Sequence, residues 1–212
     1  MPDLPLFDNH DSRIRHYDLL LERPLTGIPY YKLPEGYRFT HYQDGDRDAW
    51  ISIEQSAKEF SSAGQGLDAW RRYYSGRENE LKDRMVFIVA DNNEKVATAT
   101  AFYDIDGKDG PETGWLHWVA VKRSHQGKGL AKPLLSHTFA RMKALGYTHA
   151  RIHTQTTTWL ACKIYLDFGF LPVPQNAVSS AAGWRIMKRL TGHPALKAFP
   201  CATDDEVLSA SL

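Results

Sequence analysis

The stretch from Trp115 to Leu145 limits the possible folds more than any other part of the chain. It reads as a buried strand, a glycine-rich turn and a helix, and 150–154 then reads as another strand. At its centre stands His117-Trp-Val-Ala-Val-Lys-Arg-Ser-His-Gln-Gly-Lys-Gly-Leu-Ala131, with a turn of the form Gln-x-x-Gly-x-Ala carried by Gln126, Gly129 and Ala131. Glycines at a strand-to-helix turn let backbone N–H groups approach a ligand, and the first turn of the helix adds free donors and a favourable dipole. Those are the parts that hold a pyrophosphate.

A strand–helix–strand order requires a parallel pair. The remaining pattern is antiparallel. Met85–Ala90 is continuously apolar, as a central strand is. The turn Asp91-Asn92-Asn93-Glu94 returns the chain as a hairpin partner over 96–103. Residues 37–42 alternate like a strand. Asp46 is placed to cap a helix bearing Ala49, Trp50, Ile53 and Ala57, and 62–84 reads as a second, more polar helical stretch. Leu130, Leu134, Leu135, Thr138, Phe139, Met142 and Leu145 fall at helical spacing, with Pro133 expected in the first turn and Gly146 closing the helix. A helix over 158–168 ends at Gly169, and 184–190 reads as a final strand. The expected fold class is α/β (α+β), a mixed, mostly antiparallel central sheet with helices on both faces. Pro24, Pro29 and Pro34 argue against regular structure in 1–35, so the expected division is an N-terminal arm (1–35), a domain (36–190) and a C-terminal tail (191–212).

Charge excludes little but excludes it clearly. Lys plus Arg number 26 and Asp plus Glu 25, so a net charge of +1 points to neither nucleic acid nor membrane. Cys162 and Cys201 make no disulfide framework, and none of the nine histidines falls in a metal-binding spacing, so no metal is expected. With no signal-like segment, a reducing cytoplasm is the expected compartment.

The turn fits neither a dinucleotide nor a triphosphate fingerprint: only Gly127 and Gly129 of a G-x-G-x-x-G are present, and G-x-x-x-x-G-K-[ST] is missing. The Gln126–Ala131 turn and the order of elements resemble instead the GCN5-related N-acetyltransferase (GNAT) superfamily over roughly 36–190. A second segment, Ala161-Cys-Lys-Ile-Tyr165-Leu-Asp-Phe-Gly169-Phe170, looks like the superfamily's helix that ends in Tyr-x-x-x-Gly-Phe. Around 116–131 the chain is also similar to arylalkylamine N-acetyltransferases, which carry a second His where this chain has Trp115.

The resemblance implies acetyl transfer from acetyl-CoA to a primary amine of a small-molecule acceptor, by direct attack through a tetrahedral intermediate. It assigns the pyrophosphate to backbone N–H groups of Gln126, Gly127, Lys128, Gly129, Leu130 and Ala131, with Lys122 and Lys128 either adding charge or serving as solvated surface. It assigns the pantetheine arm to the backbone of Val119, Ala120 and Val121, with Val119 N–H as carbonyl donor, and Thr158 stands where relatives often carry an Asn that touches the cofactor. Tyr165 matches the general acid for the departing thiolate. His117, expected to share a strand face with Trp115 and Val119, is the candidate base, the other reading being a core histidine with a satisfied hydrogen bond. Trp50, Tyr73, Tyr74, Trp115, Trp159 and Trp184 are candidates to line the acceptor pocket or to fill the core. The arm is free to cover the acceptor site or to mediate a homodimer. A non-catalytic acyl-CoA sensor on the same fold is the alternative.

Overall fold

The computed structural model describes residues 10–173 and 177–197, and these divide into two compact units. One comprises Pro24–Ala150; the other comprises the chain up to Arg23 and from Arg151 onward. The expected α/β (α+β) class is the observed one.

In the first unit four strands lie in the order β2 (Tyr37–His41), β3 (Met85–Ala90), β4 (Lys95–Tyr103), β5 (Thr113–Val121), with every neighbouring pair antiparallel. Helices cover both faces, as the register demonstrates. Phe39 pairs with Ile88, and His137 of α4 (Ala131–Ala144) stacks on Phe39, so α4 covers that face. The next residue, Phe87, belongs to the opposite face. There it joins a core with Trp50 of α1 (Arg47–Ser56), Trp70 of α2 (Ala63–Tyr73) and Leu81 of α3 (Glu78–Arg84). Pro133 sits in the first turn of α4, as expected.

Two expectations need correction here. The stretch 62–84 is two helices rather than one, because the chain breaks after Tyr74 and turns through Gly76 at φ +79°. Asp46 stands at the start of α1 but does not cap it. Its carboxylate accepts instead from the Gln43 backbone N–H at 2.8 Å and pairs with Lys95.

The second unit holds strands in the order β6 (His149–Gln155), β1 (Asp18–Pro24), β7 (Leu171–Val173), with β1 antiparallel to β7. The N-terminal segment, expected to lack regular structure, thus supplies a central strand. Leu19, Leu20 and Leu21 are buried, a neighbouring strand lies on each side, and Pro24 comes only at the end, where its missing N–H costs no ladder bond. Residues 184–190, expected as a strand, lie within helix α6 (Ala177–Thr191). Trp184 and Met187 are both fully buried, and their three-residue spacing suits one face of a helix. A Cβ built at Gly183 would lie 2.9 Å from Leu19 Cδ2 and 3.0 Å from Tyr17 Cβ, so this helix packs against β1 at a point only glycine fits. Helix α5 (Trp159–Asp167) completes the unit.

Candidate active site

The glycine turn has the geometry of an anion cradle. Gly127 and Gly129 adopt φ +75° and +77°, a region that costs other residues backbone strain. Beyond them α4 begins at Ala131, its Leu130 cap providing no side-chain hydrogen bond, so the first-turn N–H groups keep their capacity for a ligand. Gln126 does not reach into the turn. Its Nε2 donates to the Val121 carbonyl at 3.0 Å, which ties the turn to the end of β5. The Arg123 N–H donates to Ser56 Oγ at 3.1 Å and ties it to α1. Lys128 is exposed, whereas Lys122 pairs with Glu94 at 2.9 Å and holds that carboxyl below its usual range.

Just before the turn, β5 is bulged. Thr100 lies opposite His117 and Thr98 opposite Ala120, so Thr98–Thr100 on β4 faces the longer His117–Ala120 on β5. Trp118 takes up the extra residue at φ +47°, a strained conformation for a bulky side chain. Two consequences follow. His117 shares its face with Ala120, because Thr98 and Thr100 share theirs; the expected common face of His117 and Val119 is broken. A bulge also takes main-chain groups out of the ladder, and neither Trp118 nor Val119 has a partner residue on β4. No glycine marks this site, so the sequence carries no signal of the bulge.

Around it lies an aromatic cluster. The His117 ring stacks on Phe102 (5.3 Å, 13° between planes), meets Tyr73 edge-on at 4.5 Å and touches Trp118. Its Nδ1 lies 3.1 Å from Tyr74 Oη, which donates to Thr100 Oγ1 at 3.2 Å. Burial pushes the imidazole down to about 3, so it is neutral at physiological pH. Burial pushes the Tyr74 phenol well up. Tyr73, Trp118, Tyr103 and His117 remain partly exposed, whereas Trp50 and Tyr74 are core. Trp115 Nε1 donates to Asp109 at 2.7 Å.

One residue of this region escaped sequence reasoning. Glu54 on α1 is fully buried, and neither carboxylate oxygen has a hydrogen-bond partner among the described residues. Burial, with Glu59 nearby, raises its pKa well above the usual carboxylate range. Its place on the Trp50–Ala57 face of α1 was visible in the helical spacing, but a glutamate there reads as an edge residue.

Tyr165 and Thr158 belong to the second unit. Tyr165 is 7% exposed on α5, and the helix closes when the Phe170 N–H returns to the Tyr165 carbonyl at 3.1 Å through Gly169 at φ +83°. The Tyr-x-x-x-Gly-Phe spelling is thus a helix C-cap that fixes where the tyrosine sits. Thr158 Oγ1 donates to the Gln155 carbonyl at 3.0 Å and lies 3.0 Å from Thr154 Oγ1, so its hydroxyl proton is committed within the chain. Trp184 is a core residue of this unit, and Cys162 is a buried thiol whose pKa burial raises. Among the described residues no group of His, Cys, Asp and Glu could hold a metal, and no helix is long and apolar enough to cross a membrane.

Comparison with known proteins gives these elements a context. The acetyltransferase (GNAT) family matches residues 47–170, which contain the turn, the bulge, the aromatic cluster and Tyr165. No curated protein matches the sequence. A Sphaerobacter thermophilus structure described as a GCN5-related N-acetyltransferase has a TM-score of 0.58 at 18% identity, with 74% of this chain and 49% of that one covered. A fungal structure, described as a glucosamine N-acetyltransferase region within a multi-domain β-N-acetylglucosaminidase, has a TM-score of 0.55 at 14% identity, with 77% and 20% covered. At such identities the likeness establishes the fold, and this chain spans under half the length of either protein. These matches do not single out the arylalkylamine branch.

Proposed function

The chain belongs to the acetyltransferase (GNAT) family, and from that premise we propose that it moves an acetyl group from acetyl-CoA to a primary amine of a small-molecule acceptor. The observation that carries this reading is the uncapped start of α4 behind two left-handed glycines, immediately after a bulged strand. The turn suits a pyrophosphate and the bulge suits an acyl carbonyl.

Acetyl-CoA, when bound, supplies an activated thioester. The chain does the rest. Backbone N–H groups from Gly127 to Ala131 hold the pyrophosphate, the expected Gln126 N–H being given instead to the Arg123 carbonyl at 3.3 Å, and Lys128 adds charge from the surface. The backbone of Val119, Ala120 and Val121 pairs with the pantetheine arm as a strand partner would. The Val119 N–H, released by the bulge, donates to the carbonyl oxygen as it gains negative charge. The amine nitrogen bonds to the carbonyl carbon, the carbon–sulfur bond breaks, and Tyr165 gives its proton to the thiolate and regains one from water. A phenol of pKa about 10 donates to a thiolate of conjugate pKa about 8.5 only with close geometry.

His117 has a different part from the base expected of it. An imidazole pushed down to about 3 does not keep an abstracted proton at neutral pH. We assign it the role of hydrogen-bond acceptor for the amine N–H, with the acceptor reacting as its free base and the proton passing to water.

The test is thermal stabilisation by acetyl-CoA together with CoA release on a panel of amines that includes arylalkylamines and, given the fungal relative, glucosamine. Binding with turnover that Tyr165→Phe removes supports the reading. Binding without turnover on any amine favours an acyl-CoA sensor, and absence of binding overturns both.

A further inference from the structure

The three-residue chain behind the aromatic cluster has a direction, and it runs toward the acceptor. A phenol has one proton. Tyr74 gives its proton to Thr100 Oγ1 at 3.2 Å, so the Tyr74 oxygen meets His117 Nδ1, 3.1 Å away, with a lone pair. A hydrogen bond across that gap then requires the proton on Nδ1. A neutral imidazole carries one N–H, which leaves the lone pair on Nε2. Nε2 has no hydrogen-bond partner among the described residues, on a ring that is partly exposed beside the bulged Trp118. Tyr74 and Thr100 are themselves fully buried, and no ligand reaches them directly.

We infer that Tyr74 and Thr100 are positioning residues that hold His117 as its Nδ1–H tautomer, so that the Nε2 lone pair faces the acceptor amine. The part played toward the amine rests on the transferase reading above; the tautomer itself does not. The inverted arrangement, with Nε2–H outward, would present a donor to a nitrogen whose lone pair must be free to attack. The device thus selects acceptors that offer an N–H to the ring, which primary and secondary amines do and tertiary amines do not.

The experiment is nitrogen–proton correlation NMR of the His117 ring at neutral pH in the full chain without any ligand. The wild type is expected as Nδ1–H. Thr100→Val removes the acceptor for the phenol proton, so Tyr74 donates to Nδ1 and the ring flips to Nε2–H. Thr100→Ser keeps the hydroxyl and keeps Nδ1–H. In turnover, Thr100→Val is expected to lower kcat about tenfold, the worth of one misdirected hydrogen bond, with KM for acetyl-CoA unchanged. A wild-type ring found as Nε2–H, or one that stays Nδ1–H in Thr100→Val, overturns the inference, and neither result bears on whether the protein transfers acetyl groups. If Thr100→Val does not fold, Tyr74→Phe gives the same reading: loss of the Nδ1–H preference supports the inference and its persistence contradicts it.

Discussion

His117 and Glu54 sit in the same unit with opposite debts to burial, and pH separates them. The imidazole is neutral in the fold down to about 3 but titrates near the ordinary 6.5 when unfolded. Its contribution to stability is therefore complete above pH 6.5 and is lost as the pH falls from 6.5 toward 3. His117→Phe, measured against wild type by chemical denaturation across that window, should gain relative stability on acidification. Glu54 has the reverse sign. Burial holds its carboxyl well above the usual carboxylate range in the fold, so as the pH rises past 4.5 the unfolded state ionises first and is favoured. Glu54→Gln should raise Tm clearly at pH 8 and little at pH 4. For catalysis, a neutral His117 predicts that kcat/KM follows the amine's own ionisation, with no inflection near pH 6.5. A plateau set by a group of pKa 6–7 would restore a histidine base.

Among the elements, those whose pattern depends on local spacing were legible. The hairpin β3–β4, the β5–turn–α4 segment and the capped end of α5 all declare themselves in apolar period and glycine placement. What was not legible depends on partners distant in sequence. The run at Asp18–Pro24 is a strand because β6 and β7, more than a hundred residues later, lie on either side of it. The short apolar spacing of 184–190 suits either period, and packing of Gly183 on Leu19 and Tyr17 selects the helix. Gly183→Ala should therefore cost about 1–3 kcal/mol, read as a lowered denaturation midpoint, because an added Cβ would lie 3.0 Å from Tyr17 Cβ, an atom fixed to its backbone, and would press on the buried Leu19. At the turn, Gly129 has open space but a left-handed backbone: its nearest neighbour, Pro34 Cγ, would lie 3.8 Å from an added Cβ. Gly129→Ala should lower Tm by only the few degrees that about 1–2 kcal/mol of backbone strain costs, and raise KM for acetyl-CoA. The Trp118 bulge, which breaks the expected His117–Val119 face, had no such marker.

At the scale of the whole molecule, the two halves of the proposed chemistry are borne by different units. The anion cradle, the bulge and the His117 cluster belong to Pro24–Ala150; Tyr165 belongs to the unit that also needs the N-terminal strand. Removing residues 1–24 should thus abolish cooperative folding of the second unit and with it turnover, where a dispensable arm would leave both intact. Strand Asp18–Pro24 is central rather than edge, so its loss exposes two open sheet edges. The most direct measurement is release of free CoA from acetyl-CoA by the purified full chain across an amine panel, wild type beside Tyr165→Phe. Turnover on at least one primary amine that falls at least a hundredfold in the variant, while acetyl-CoA still raises Tm in both, is the expected result. Turnover that persists in Tyr165→Phe, or a wild type that acetyl-CoA neither stabilises nor converts, would contradict it.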